Sequence, residues 1–149
     1  MSESVVYIAI GSDHAGFLTK EFIKRTLVEK GYTIRDFGTF SDESMDYPDS
    51  AHPLSKAIQN GDYHYGILIC GSGNGMAIVA NKYKGIRAAI CWNDQVTELA
   101  RKHNNANIIA LPARFISMEE AAKLSLLFIK TSFEKGRHVR RVEKIEKIL

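Results

Sequence analysis

The sequence is poor in the features that mark membrane, secreted and metal-binding proteins. No apolar run approaches the roughly 20 residues that span a bilayer. The opening stretch, MSESVVYIAIGSDH, has neither a basic segment nor a small-residue cleavage site, so no export signal is read in it. Two cysteines are too few for a disulfide framework and are expected as reduced thiols. The five histidines show no HxH or HExxH spacing, and there is no CxxC, so no metal site is expected. Repeats, low-complexity tracts and linkers are lacking too. One domain, residues 1–149, is expected, in the cytoplasm and without a membrane partner.

What is present suits an ordinary folded chain: 45% of residues are hydrophobic and 25% charged. The net charge of +3 is local. Residues 137–149 carry five Lys/Arg against two Asp/Glu, and the remaining 136 balance at 15 of each sign. A basic end on a neutral body suits a phosphate, a nucleic acid or an acidic surface. Nucleic acid is the weakest of these, because no aromatic platform accompanies the basic residues.

Continuous apolar runs of strand length lie at 5–10, 65–70, 86–91 and 106–111, and a more alternating run at 32–37 suits an edge. Helical stretches separate them. The first ends at Gly31 and places Phe17, Phe22, Ile23 and Leu27 near one face. Pro48 opens the next, which runs to Gly61. Two more, at 93–105 and 117–133, start on polar caps. The alternation predicts a three-layer α/β/α sandwich around about five mostly parallel strands. After Gly136, Val139, Val142, Ile145 and Leu149 share one helical face. An amphipathic C-terminal helix needs a surface to cover, in its own domain or in a second subunit.

The chemistry centres on ILICGSGNGMAI, residues 67–78. A buried strand ends at Cys70, and Gly71, Gly73 and Gly75 follow at alternate positions, with Ser72 and Asn74 between them. Such a turn presents backbone N–H groups at a helix start. Met76 stands where a dinucleotide loop needs glycine and where a cysteine phosphatase needs arginine, and no lysine follows before Lys82, as a nucleotide P-loop requires. Free cysteines are most often core residues, and Cys91 reads that way. Cys70 differs, because a thiol beside a helix N-terminus has a lowered pKa. A thiolate next to amides that hold an oxyanion permits attack on a carbonyl, or removal of a proton beside one.

GSDHAG, residues 11–16, follows the first strand, so Asp13 and His14 are expected in the same crevice, at the carboxyl ends of the strands; Asp13 also suits an N-cap. His103 falls near a helix C-terminus, as a dipole partner or an acid/base group. Arg137 and Arg141 are four apart and suit phosphate capture, or form a solvated basic helix face.

Together, GSDHAGF, DYP at 46–48, ILICGSGNGMAIVANKYKGIRAA, ARKHNNANIIAL and GRHVRRVEKI resemble the type B ribose-5-phosphate isomerases. That family also holds galactose-6-phosphate and allose-6-phosphate isomerases. The resemblance implies a Rossmann-like subunit and a homodimer, or a dimer of dimers, with active sites shared between subunits. It implies aldose–ketose isomerisation of a phosphorylated sugar through an enediolate, with no cofactor and no metal. By the same resemblance Cys70 is the base, and the amides of Gly71, Ser72, Gly73, Asn74 and Gly75 hold the enediolate oxygen. Ser72 stands where many members have threonine, and either hydroxyl can bond the substrate. His103, with Asp13, opens the sugar ring. Tyr47 and Asn104 contact sugar hydroxyls, and His14, Arg114, Arg137 and Arg141 bind the phosphate. Ribose 5-phosphate is the expected substrate. The other readings are a hexose phosphate, a silent sugar-phosphate binder and a cysteine hydrolase.

Overall fold

Strands and helices alternate along the computed structural model, which describes residues 5–147. The strands are β1 (Tyr7–Ser12), β2 (Thr33–Asp36), β3 (Tyr65–Cys70), β4 (Ala88–Ile90) and β5 (Ile108–Pro112). The helices are α1 (Phe17–Glu29), α2 (Pro48–Gln59), α3 (Asn74–Ala80), α4 (Asp94–Lys102), α5 (Met118–Lys130) and α6 (Arg137–Glu143). Every pairing is parallel, in the order β2-β1-β3-β5-β4.

Successive strand residues face opposite sides of the sheet. Ile8, Ile10, Ile67, Ile69, Ile109 and Leu111 pack with α1, α4 and α5. Ala9, Leu68, Cys70 and Ile108 pack with α2 and α3. Both faces are covered, which is why the central strands read as unbroken apolar runs. Local signals act where the sequence places them. Gly31 and Gly61 take the left-handed backbone after α1 and α2. Pro48 opens α2, and the Asn93 and Ser117 side chains cap α4 and α5. Among the described residues, no helix is long and apolar enough to cross a membrane.

Four expectations need correction. β1 and β5 begin and end later than their apolar runs: Gly11 and Ser12 still pair with Leu68 and Ile69, and Pro112 still pairs with Cys70. β4 is a three-residue edge strand and only half-buried, although its composition reads as interior. α1 buries Thr19, Lys20, Ile23 and Leu27, leaving Phe17 and Phe22 partly exposed. The terminal helix stops at Glu143 and passes into one 3-10 turn, Lys144–Glu146, while Leu149 lies outside the described residues.

Lys20 is fully buried because it has partners: its ammonium bonds Asp36 and Glu21 and lies 5.4 and 5.2 Å from the Phe17 and Phe40 rings. Burial raises the Asp36 pKa, but hydrogen bonds from Lys20, Lys24 and the Gly38 amide outweigh it and leave the group below its ordinary value. A lowered folded pKa gives stability that is complete above the unfolded value, about 3.9, and lost as pH falls through the folded one. Asp36→Asn should therefore melt well below the wild type at pH 7, and the gap should narrow below about pH 4. A gap in Tm that stayed constant from pH 7 to pH 3 would contradict this.

Candidate active site

The chain leaves β1 through α1 toward β2 at one sheet edge, and leaves β3 through α3 toward β4 at the other. The two connections cover opposite faces, so a crevice opens at the carboxyl ends of β1 and β3. Cys70 ends β3 there. It is 5% exposed and faces the α2/α3 layer. It lines a cleft of about 330 Å³ with Asp13, Tyr47, Gly71, Ser72, Gly75, Arg114 and Phe115.

Each glycine of the turn has its own cause. A Cβ on Gly71 would sit 3.0 Å from the Arg114 guanidinium, and one on Gly75 would sit 2.7 Å from the Tyr47 ring. Gly73 is left-handed, with φ +79°, and turns the chain into α3. The loop is thus a mould for two side chains as well as a row of amides. One amide is engaged within it: Asn74 N–H donates to Ser72 Oγ at 3.2 Å. The end of β5 is tied to the same loop, with Ala113 N–H donating to the Cys70 carbonyl and Arg114 N–H to the Gly71 carbonyl.

Asp13 N–H donates to the Ile69 carbonyl at 3.1 Å, and its Oδ1 accepts from Gly16 N–H at 3.0 Å. It closes the turn before α1; the N-cap itself is Gly16. His14 Nδ1 accepts from Met45 N–H at 3.2 Å, fastening the segment that carries Tyr47.

The expected residues fall into two groups. Asp13, Tyr47, Cys70, Gly71, Ser72, Gly75 and Arg114 share the cleft, and Phe115, absent from the expectation, stands 75% exposed at its rim. Asn74 lines another groove, with Ile78 and Ile90, that shares no lining residue with the cleft. Asn104 lines a separate cavity beside Arg87 and Ile145. His14, expected in the same crevice, is not in the lining of the cleft, and neither are Gly73, His103, Arg137 and Arg141. His103 caps α4 and stacks on His138, with centroids 4.2 Å apart and planes 15° apart. Sequence reasoning missed His138; its only signal was the spacing of four from Glu134, whose carboxylate lies 3.8 Å from its Nε2.

The His138 pKa is pushed below its ordinary value, first by burial, then by the charges of His103, Arg137 and Arg141, with Glu134 opposing. The Cys91 thiol is fully buried and pushed up to about 11 by burial, which suits a core residue. Ligand atoms of His103, Glu134 and His138 lie within 4.8 Å of one another, but the neighbouring guanidiniums favour an anion there over a dication.

The family described as Ribose/Galactose Isomerase matches residues 8–145. A crystal structure of ribose 5-phosphate isomerase from Thermotoga maritima is 49% identical, with a TM-score of 0.93 over 96% of this chain and 99% of that one. Ribose-5-phosphate isomerase B from Mycoplasma genitalium, solved with bound ribulose-5-phosphate, is 40% identical, with a TM-score of 0.91 over 97% and 96%. The D-erythrulose-4-phosphate isomerase of Pectobacterium atrosepticum is 45% identical over 93% of this chain and 91% of its own. With likeness in sequence and fold running from the first strand to the last turn, the chain belongs to the ribose/galactose isomerase family.

Proposed function

We propose that the chain interconverts ribose 5-phosphate and ribulose 5-phosphate, with Cys70 as the base. The carrying observation is Cys70 at the wall of a cleft, beside a turn of backbone amides. The thiolate takes the proton from C2 of the open aldose. The electron pair enters the C1–C2 bond, and charge collects on O1. Amides of the 71–75 turn hold that oxygen, and the Ser72 hydroxyl bonds the substrate. The thiol returns a proton to C1 while one passes from O2 to O1, which gives the ketose.

Before this, the furanose must open, and His103 donates and accepts the hydroxyl protons. Tyr47 and Asn104 bind sugar hydroxyls. His14, Arg114, Arg137 and Arg141 bind the phosphate, fixing the reacting carbons from a distance. His103, Asn104, Arg137 and Arg141 reach the cleft of a second copy, so that two subunits share each site. Supporting this are their absence from the lining of the cleft within one chain and the exposed apolar residues Ile78, Val139 and Ile145. The cytoplasmic placement read from the sequence is part of the same proposal.

Turnover of ribose 5-phosphate, allose 6-phosphate and erythrulose 4-phosphate, measured side by side with a chelator present, tests the reading. Ribose 5-phosphate should turn over fastest, undiminished by the chelator. Preference for the six- or four-carbon sugar would overturn the substrate assignment, and no turnover of any would overturn the isomerase. Arg137→Ala should lower kcat/KM for ribose 5-phosphate about tenfold to hundredfold, the worth of a charge-assisted hydrogen bond of about 1.5–3 kcal/mol. An unchanged kcat/KM would remove Arg137 from the phosphate site.

A further inference from the structure

Arg101 lies in the last turn of α4, is 5% exposed, and is not in the lining of the cleft. Four of its five guanidinium N–H groups are nonetheless engaged. Nε donates to the Thr131 carbonyl at 3.0 Å. Nη1 donates to Asn105 Oδ1 at 3.0 Å and to the Ala106 carbonyl at 2.6 Å. Nη2 reaches the Tyr65 hydroxyl at 3.4 Å. The group also stacks against Tyr65 and Phe128, 5.0 and 5.6 Å from their ring centres.

Apart from Tyr65, which begins β3, the hydrogen-bond acceptors belong to two segments. Asn105 and Ala106 end the turn that carries His103 and Asn104, and Asn105 is held left-handed, with φ +47°. Thr131 ends α5 and begins the segment that carries Arg137, His138 and Arg141. A second tie, Glu134 N–H to the Lys102 carbonyl at 3.0 Å, runs in parallel, and the His103–His138 stack closes the ring of contacts. Only a planar fork can serve both segments at once; a lysine ammonium on its flexible stem cannot hold all four acceptors.

We infer that Arg101 is a positioning residue, locking the His103 turn to the 131–138 segment so that ring-opening and phosphate-binding groups are presented as one unit. The role in turnover rests on the proposed isomerase reading. A misplacement of about 1 Å can cost up to a hundredfold in rate, so loosening this lock should be felt at a cleft that Arg101 never touches.

The test combines histidine ring NMR with kinetics on the full chain: wild type, Arg101→Lys, Asn105→Gly, and Ile23→Val as a core variant outside the lock's hydrogen bonds. In Arg101→Lys, the His103 and His138 resonances should lose their mutual ring-current shift while His14, His52 and His64 stay in place. Its kcat/KM should fall about tenfold to hundredfold. Asn105→Gly removes one acceptor, tolerates the left-handed backbone, and should move the same two resonances. Ile23→Val should lower Tm with neither effect. Unmoved resonances in Arg101→Lys, or kcat/KM within twofold of wild type, would overturn the inference; should Arg101→Lys not fold, Asn105→Gly decides by its resonances alone. An inactive wild type would sink the isomerase reading instead, and the resonances would still judge the lock.

Discussion

Cys70→Ala should lower kcat on ribose 5-phosphate about a thousandfold, the scale of a lost general base. The fold should barely notice. Cys70 is small, it belongs to the apolar cluster that includes Leu68 and Met76, and the substitution removes one sulfur from the cleft wall. Substrate affinity should survive, since no phosphate or hydroxyl contact is assigned to the thiol. Cys70→Ser should not rescue turnover, because a hydroxyl has a far higher pKa than a thiol and cannot supply the anion. A coupled assay and titration calorimetry would check both halves. A Cys70→Ala enzyme within tenfold of wild type would move the base elsewhere.

Gly16→Ala should be the most damaging of the conservative changes. A Cβ there would lie 2.6 Å from the Ile69 carbonyl oxygen and 2.7 Å from its Cγ2. The obstacle is backbone of the central strand, one residue before Cys70, and it cannot swing aside. Either α1 lifts from the sheet or β3 bends. A loss of about 3 kcal/mol is expected, at the upper end for overpacking, which is a fall in Tm of roughly 6–12 °C for a chain of this size. Turnover should fall as well, since relief of the clash moves the strand end that carries Cys70, the proposed base. Gly75 offers the contrast, because there the crowded neighbour is the Tyr47 ring, which can rotate away. A Gly16→Ala protein with wild-type Tm and activity would mean that the α1–β3 contact is looser than described.

The elements were legible where periodicity and punctuation agreed. β3 follows its apolar run residue for residue, and α2 starts at its proline. Edges were less legible. β4 has the composition of an interior strand, and nothing in 86–91 reveals that one side lacks a neighbour. Lys20 was invisible, since a buried lysine is credible only once Asp36, sixteen residues on, is known to face it. At the site, the motifs gave Cys70, Asp13 and the glycine turn. They did not give the reason for Gly71 and Gly75, which lies in Arg114 and Tyr47 approaching from distant segments. Nor did they give the pairing of His103 with His138, because stacking across 35 residues leaves no local trace.

Subunit complementation reaches the central claim most directly, that Cys70 of one copy works with His103 of another. Cys70→Ala and His103→Ala proteins, each inactive alone, are unfolded together, refolded together and assayed. Random pairing makes half of the dimers hybrids, each with one site that keeps both Cys70 and His103 and one that has lost both, so the mixture should regain about a quarter of wild-type activity. A mixture as inactive as its two parents, with hybrid dimers confirmed by native mass spectrometry, would contradict the shared site.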